Sequence, residues 1–176
     1  MDTETLTYRL ANYEDTNAIV ELVNRAYRDS SVRGWTSECD IVSGNRTHHG
    51  EIESLISTAG STVVVMSQQS RLHGCVHLQG QGPEIYLGML TVDPQIHNRG
   101  LGKGLLSEAE RYAQEHMEGK AISMIVVSQR TELIDFYLRR GYRRSGEILA
   151  YPIEKNVGRP KVDGLTMEKL VKDLNV

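Results

Sequence analysis

The stretch from Val92 to Leu106, V-D-P-Q-I-H-N-R-G-L-G-K-G-L-L, restricts the fold more than any other part of the chain. A β-rich run, EIYLGMLTV, ends there, glycines recur at 100, 102 and 104, and a helical pattern begins at once, with Leu105, Leu106, Ala109, Tyr112 and Ala113 on one face. The first N–H groups of a helix have no partner within it, the helix dipole adds positive potential, and glycine lets a ligand approach the backbone closely. A strand, a glycine-rich loop and a helix start in that order therefore predict a cradle for phosphate oxygens. Two other phosphate loops fit the residues less well. A Walker loop needs Ser or Thr after its Gly-Lys, but Gly104 follows Lys103 and His97 takes the first glycine position. The dinucleotide fingerprint keeps Gly100 and Gly102 but meets Leu105 at its third small position, and the segment lies mid-chain.

The surroundings of this segment set the fold class. TLTYRLAN alternates as a half-buried strand, and the helical spacing of Ile19, Leu22, Val23 and Ala26 follows it. GWTSECDIVSGNRTHH reads as an ordered loop and HGEIESLISTAG as a short amphipathic helix. TVVVMSQ and LHGCVHLQ, joined by a polar turn, read as a hairpin that EIYLGMLTV extends into a meander. Gly88 within that third run marks a bulge or a close approach of another backbone or ligand. AISMIVV is a nearly continuous apolar run, as a central strand is; TELIDFYLRR is a helix stopped by Gly141. YRRSGEILAYPI and LTMEKLV are the last strands, joined by the long, flexible-looking EKNVGRPKVDG. The result is an α/β chain with a mixed sheet, not a purely alternating doubly wound one, and 176 residues predict a single domain, 1–176.

Charge narrows the partners. A formal net charge of -3, from 20 basic and 23 acidic side chains, gives no general attraction to nucleic acid or anionic membrane, so a polyanion site has to be local. No run approaches the roughly 18 apolar residues of a spanning helix and the start lacks signal-peptide character, so a cytoplasmic location is expected. Cys39 and Cys75 are expected as free thiols, Cys75 in a strand. His73 and His77 alternate with Cys75; without a third ligand nearby in sequence they read as half-exposed strand histidines, and no metal is expected.

Arg99, Gly102 and Gly104 match the Arg/Gln-x-x-Gly-x-Gly/Ala signature of the GNAT superfamily of N-acetyltransferases, after a strand ending in Val92 and a Val-x-Pro turn. FYLRRGYRRSGE resembles that family's second signature, with Tyr137, Gly141 and Tyr142 in register. The resemblance runs from about Thr5 to Val171 and is sharpest from Leu87 to Gly146. It implies a mixed sheet of about six to seven strands, about four flanking helices and central parallel strands that part. It also implies acetyl-coenzyme A as co-substrate, an amine acceptor, and a monomer or homodimer. The main chain of Asn98, Arg99, Gly100, Leu101, Gly102, Lys103 and Gly104 would clasp the pyrophosphate, Leu90, Thr91 and Val92 would bond the pantetheine arm, and Arg140 would reach a phosphate. Tyr137 matches the tyrosine beside the cofactor sulfur, a general acid for the departing thiolate. Arg130 departs from the pattern, standing where many members carry Asn.

Acetyl transfer needs an unprotonated amine, a polarised carbonyl and a proton for sulfur. Glu84 and Tyr86 share parity with Gly88 and hence one strand face. Tyr86 stands about where some relatives carry a catalytic glutamate, which leaves Glu84 or a bound water as the base and Tyr86 as a substrate contact. Trp35 lies in the polar early region that shapes the acceptor side in this fold and is a second candidate for the substrate wall. A non-catalytic acyl-coenzyme A sensor would keep the same clasp, and a nucleotide-dependent module would keep only the phosphate loop.

Overall fold

The structure, a computed structural model, describes residues 5–29, 31, 36–96, 100–155 and 157–175. Its strands are β1 (Thr7–Leu10), β2 (Val42–Ser43), β3 (Ser61–Gln68), β4 (Arg71–Gln81), β5 (Glu84–Val92), β6 (Ala121–Val127), β7 (Arg143–Ala150), β8 (Arg159–Pro160) and β9 (Thr166–Asp173). The helices are α1 (Thr16–Arg28), α2 (His49–Ser57), α3 (Leu101–His116) and α4 (Thr131–Leu138). Seven strands form one mixed sheet in the order β1-β3-β4-β5-β6-β9-β7, and β2 pairs with β8 in a separate ribbon. Among the described strands only β5 and β6 run parallel, as expected of a meander followed by a helical crossover.

Each face of the sheet carries two helices. Ile19 and Val23 of α1 and Ile52 of α2 pack with Val63, Val65, Cys75 and Met89 on one side. Leu105, Leu106 and Ala109 of α3 and Ile134 and Tyr137 of α4 pack with Val76, Leu78, Ile85, Leu87 and Ile122 on the other. Burying each of these large apolar side chains contributes about 1.5–3 kcal/mol. His73 and His77 are buried, not half-exposed as their alternation suggested, because β4 is a central strand covered on both faces. Both cysteines are free and buried.

Local chemistry explains the boundaries. Asn12 and Asp15 form a reciprocal cap at the turn that leads into α1, and Arg9 clamps both oxygens of Asp15 at 2.7 and 2.8 Å. Gln69 and Ser70 both hold positive φ in the two-residue β3–β4 turn, the geometry whose twist matches that of the strands. The connection after β7 is less free than its composition suggested. Residues 159–160 form β8, and Gly158, at φ +119, passes so close to β2 that an added Cβ would lie 2.6 Å from Val42 Cγ1 and 2.8 Å from the Ser43 carbonyl. That two-residue pairing has no hydrophobic period, so nothing in the sequence announced it.

Candidate functional site

The centre of the sheet opens because β5 carries one residue too many. Against β4, His77 pairs with Gly88 and Cys75 with Thr91, so three steps on β5 match two on β4. Met89 takes up the excess at φ 56, a left-handed conformation that costs a non-glycine residue about 1–2 kcal/mol. The slip reverses the alternation: Ile85 and Leu87 face α3 and α4, whereas Met89 faces α1 and α2. On its other edge β5 pairs with β6 only at Glu84–Ala121, Ile85–Ile122 and Tyr86–Ser123. Beyond Tyr86 the parallel strands part, and the opening is a cavity of about 280 Å³.

The start of α3 lies just past the end of β5. Buried Asp93 fixes that end: its N–H donates to the His73 carbonyl at 2.8 Å, and one carboxylate oxygen meets Arg25 of α1 at 3.0 Å. Gly100 is the N-cap of α3 at φ 99, and among the described residues no side chain caps the helix and no acidic residue occupies its first turn. Among the described residues the N–H groups of Leu101, Gly102 and Lys103 meet no side-chain acceptor, the condition for an anion site. An added Cβ at Gly102 would meet the ring of Phe136 and a methyl of Val92 at ordinary van der Waals distance, and the Tyr8 hydroxyl would lie 3.0 Å from a Cβ at Gly104.

The second motif is a helix terminus. Gly141 at φ 91 lets its own N–H reach the Leu138 carbonyl at 3.1 Å, while the Tyr142 N–H reaches the Tyr137 carbonyl at 3.2 Å. This pair of bonds is a Schellman motif, whose usual apolar contact is here the edge-to-face packing of the Tyr137 and Tyr142 rings at 5.6 Å. The spacing Tyr-x-x-x-Gly-Tyr therefore locks the Tyr137 ring in place where it lines the cavity. Burial pushes the Tyr137 hydroxyl well above its ordinary value, so it stays protonated near neutral pH.

The side chains on the α1 and α2 side of the cavity come from remote parts of the chain. Tyr27 donates from its hydroxyl to the Leu90 carbonyl at 3.4 Å, and the guanidinium groups of Arg28, Arg46 and Arg130 lie 6.0, 5.6 and 5.7 Å from its ring centroid. Buried Glu38 gives one carboxylate oxygen to Arg28 and the other to Arg130, the latter at 3.3 Å; Arg130 also donates to Thr36 Oγ1 at 2.9 Å. Arg28 donates in addition to the Val157 carbonyl, and Lys161 donates to the Cys39 carbonyl at 3.1 Å. The loop after α1 and the connection after β7 are therefore one wall. Glu51 accepts from Thr47 Oγ1 at 2.6 Å and lies 3.9 Å from Arg46.

His77 and Tyr86 floor this side, with rings at 6.3 Å. Burial, with a smaller push from Arg46, depresses His77 to about 4, so it is neutral. Ser61 Oγ donates to the Leu55 carbonyl at 2.7 Å, so in its 2.9 Å contact with His77 Nε2 the imidazole is the donor. Tyr86 lies over Gly88: a Cβ there would come 2.9 Å from the ring.

Several expected site residues are brought together: Tyr86, Leu90 and Tyr137 line the cavity, and Thr91 is buried beside it with its hydroxyl donating to the Met89 carbonyl at 3.0 Å. Glu84 is on the Tyr86 face as parity required, yet it sits where β5 and β6 are still paired, and Lys169 holds its carboxylate at 2.9 Å. The expectation of a free carboxylate at the opening is corrected on that ground; the Lys169 hydrogen bond, with one from Ser123, keeps the Glu84 pKa below its ordinary value. Arg140 folds back on its own helix, 3.5 Å above the Phe136 ring, and donates to the Phe136 carbonyl at 2.7 Å, which places it beside the α3 start through Phe136. Trp35, Asn98 and Arg99 lie outside the described residues. Tyr27, Glu38, Arg46 and Glu51 were not singled out from the sequence; Arg130 was, but only as a departure from a family pattern. Among the described residues no cluster of three or more His, Cys, Asp or Glu is arranged to hold a metal, and no helix is long and apolar enough to cross a membrane.

Comparison with known proteins agrees with this geometry. The profile of the acetyltransferase (GNAT) domain family matches residues 42–150. The uncharacterized protein YdhI of Bacillus subtilis (strain 168) is 27% identical over 78 residues, which span 44% of this chain and 47% of that protein, so less than half of the relative's length is matched. The yncA protein of Salmonella typhimurium, solved with its cofactor acetyl-CoA, superposes with a TM-score of 0.71 at 17% identity over 98% of this chain and 95% of that one. An N-acetyltransferase from Staphylococcus aureus gives 0.71 at 16% identity over 97% and 98% of the two chains. A mutant of the spermidine N-acetyltransferase SpeG from Vibrio cholerae gives 0.69 at 16% over 96% and 94%. At such identities the superpositions speak for the fold, and the profile match over more than half of the chain speaks for the family. With the parted strands, the uncapped helix start and the Tyr-x-x-x-Gly-Tyr terminus in their expected places, the chain belongs to the GNAT acetyltransferases.

Proposed function

We propose that this protein transfers an acetyl group from acetyl-CoA to a primary amine of a small molecule or peptide by direct attack within a ternary complex. The observation that carries this reading is the parting of β5 from β6 beyond Tyr86, directly between the uncapped start of α3 and the buried Tyr137. The α3 start suits a diphosphate, since among the described residues no side chain caps it and its first turn holds no acidic residue. In this reading the main chain of Gly100, Leu101, Gly102, Lys103 and Gly104, with Asn98 and Arg99, holds the pyrophosphate, and Arg140 assists from beside Phe136. The unpaired edge of Leu90, Thr91 and Val92 holds the pantetheine arm, and a main-chain N–H near Leu90 polarises the thioester carbonyl. Acetyl-CoA supplies an activated acyl group; the protein supplies position and protons.

The amine comes from the opposite side of the sheet, past Tyr86 and the wall in which Trp35 is a further candidate. Its nitrogen bonds to the acyl carbon as the carbon–sulfur bond breaks. Tyr137 gives its hydroxyl proton to the departing sulfur, and the proton lost by the amine leaves through water beside Tyr86 to Glu51, the carboxylate of this cavity not divided between two arginines. Glu84 is not assigned a role in this step because Lys169 holds it. A thiol-release assay over polyamines, amino acids, aminoglycosides and peptide amines tests the proposal. Tyr137→Phe should lower turnover by about 10²-fold or more while acetyl-CoA binding by calorimetry is unchanged. Full turnover in that variant refutes the role of Tyr137, and absence of acetyl-CoA binding in the parent protein refutes the function.

A further inference from the structure

On a protein of net charge -3, the acceptor side of the cavity is locally cationic: among the described residues Arg46, Arg130 and Lys155 line it against Glu38 and Glu51, and Glu38 is also paired with Arg28. Glu38 is fully used, one oxygen on Arg28 and the other on Arg130. Arg46 is not neutralised in the same way. Its Nη1 is shielded from bulk water, has no hydrogen-bond partner among the described residues, and lies 3.9 Å from Glu51 Oε1, beyond hydrogen-bond reach. Lys155 lines the same opening without an ion-pair partner among the described residues. A shielded guanidinium N–H left without an acceptor is costly, and the cost is relieved by an anionic ligand.

We infer that the acceptor is an amine that also carries a carboxylate, as an α-amino acid does, with the carboxylate held by Arg46 and Lys155 and the amine turned toward Glu51 and Tyr86. The pairing has a geometric basis. A compact zwitterion presents its two charges a few ångströms apart, and Arg46 and Glu51 offer the complementary charges at 3.9 Å. A polyamine would bring further positive charge to Arg46, Arg130 and Lys155 and be repelled. An arginine, planar and always charged, suits a carboxylate better than a flexible cation does.

This inference rests on the acetyltransferase reading, and the experiment separates the two. Thiol release is measured for the α-amino acids, their α-amides, the corresponding amines lacking the carboxyl group, and spermidine, with acetyl-CoA binding followed independently by calorimetry. For the best amino acid, kcat/KM should exceed that of its amide by about ten- to hundred-fold. In Arg46→Gln the KM for the amino acid should rise by that factor, the preference over the amide should fall to near unity, and acetyl-CoA affinity should be unchanged. Arg46→Lys should recover part of the preference, which a merely structural role for Arg46 would not produce. Equal use of acid and amide, preference for spermidine, or acetyl-CoA binding without turnover of any carboxylate-bearing amine overturns the inference and leaves the cofactor assignment standing. Failure to bind acetyl-CoA at all overturns both.

Discussion

Replacing Glu38 by Gln should destabilise the protein more than any exposed charge change would, and the size follows from burial. The side chains of Glu38, Arg28 and Arg130 are 5%, 8% and 8% exposed, so Glu38→Gln leaves two guanidinium groups inside the protein with no opposing charge. Breaking a buried pair from one side costs about 3–5 kcal/mol, because the partner stays desolvated. With a urea dependence of about 2 kcal/mol per molar, typical of a small protein, the unfolding midpoint should fall by about 1.5–2.5 M. The triad joins α1, the loop after it and the start of α4, so the loss should also loosen the acceptor wall and raise the KM for the amine more than that for acetyl-CoA. Adding Arg130→Met should recover part of the loss, since one of the two stranded charges goes too. A midpoint shift below about 0.5 M, or a shift abolished by added salt, would show that the cluster is solvated and refute the reasoning.

Other outcomes follow from the same geometry. His77, ordinarily near 6.5, titrates at about 4 in the folded protein, so the unfolded chain binds more protons between those values; stability should fall as pH drops from 6.5 toward 4, by at most about 3 kcal/mol, and His77→Gln should flatten that part of the urea-midpoint profile. Gly88→Ala should push the Tyr86 ring away from its seat at a stability cost of about 1–2 kcal/mol and lower amine turnover by about ten-fold or more, with acetyl-CoA binding retained in calorimetry. Gly158→Ala, at φ +119 and against Val42 and Ser43, should cost about 2–4 kcal/mol by urea denaturation, more than Gly82→Ala, which carries the backbone strain of φ +72 but whose Cβ meets nothing within 4 Å.

The elements that the sequence announced are those with a physical period. Leu105, Leu106, Ala109 and Ala113 recur at helical spacing because one face of α3 is buried, and AISMIVV lacks alternation because β6 is covered on both sides. The family resemblance put a bulge at Gly88 or Met89, and Met89 is the residue that takes the strained φ. Parity put Glu84 and Tyr86 on one face correctly, but parity carries no information on how far the neighbouring strand stays paired, and the pairing runs past Glu84 and ends at Tyr86. The cationic wall was hidden for a different reason. Arg28, Glu38 and Arg130 are scattered along the chain, and each alone reads as an ordinary solvated charge; only the fold brings both arginines to the Tyr27 ring and to Glu38 and takes all three out of water. The position where Arg130 broke the family pattern was the one visible trace of that wall.

The β2–β8 ribbon makes two distant stretches of chain move as one part. Val42 and Ser43 are laced to Pro160 and Arg159, and the Lys161 N–H donates to the Ile41 carbonyl at 2.8 Å, so neither stretch can swing outward without dragging the other. Engineering of selectivity has to respect this coupling: a graft that exchanged only the segment before α2 would set foreign backbone against Gly158, where a side chain has no room. Donor segments would have to be transplanted as matched halves, and a library that randomised one half alone would consist mostly of sequences whose two strands no longer pair.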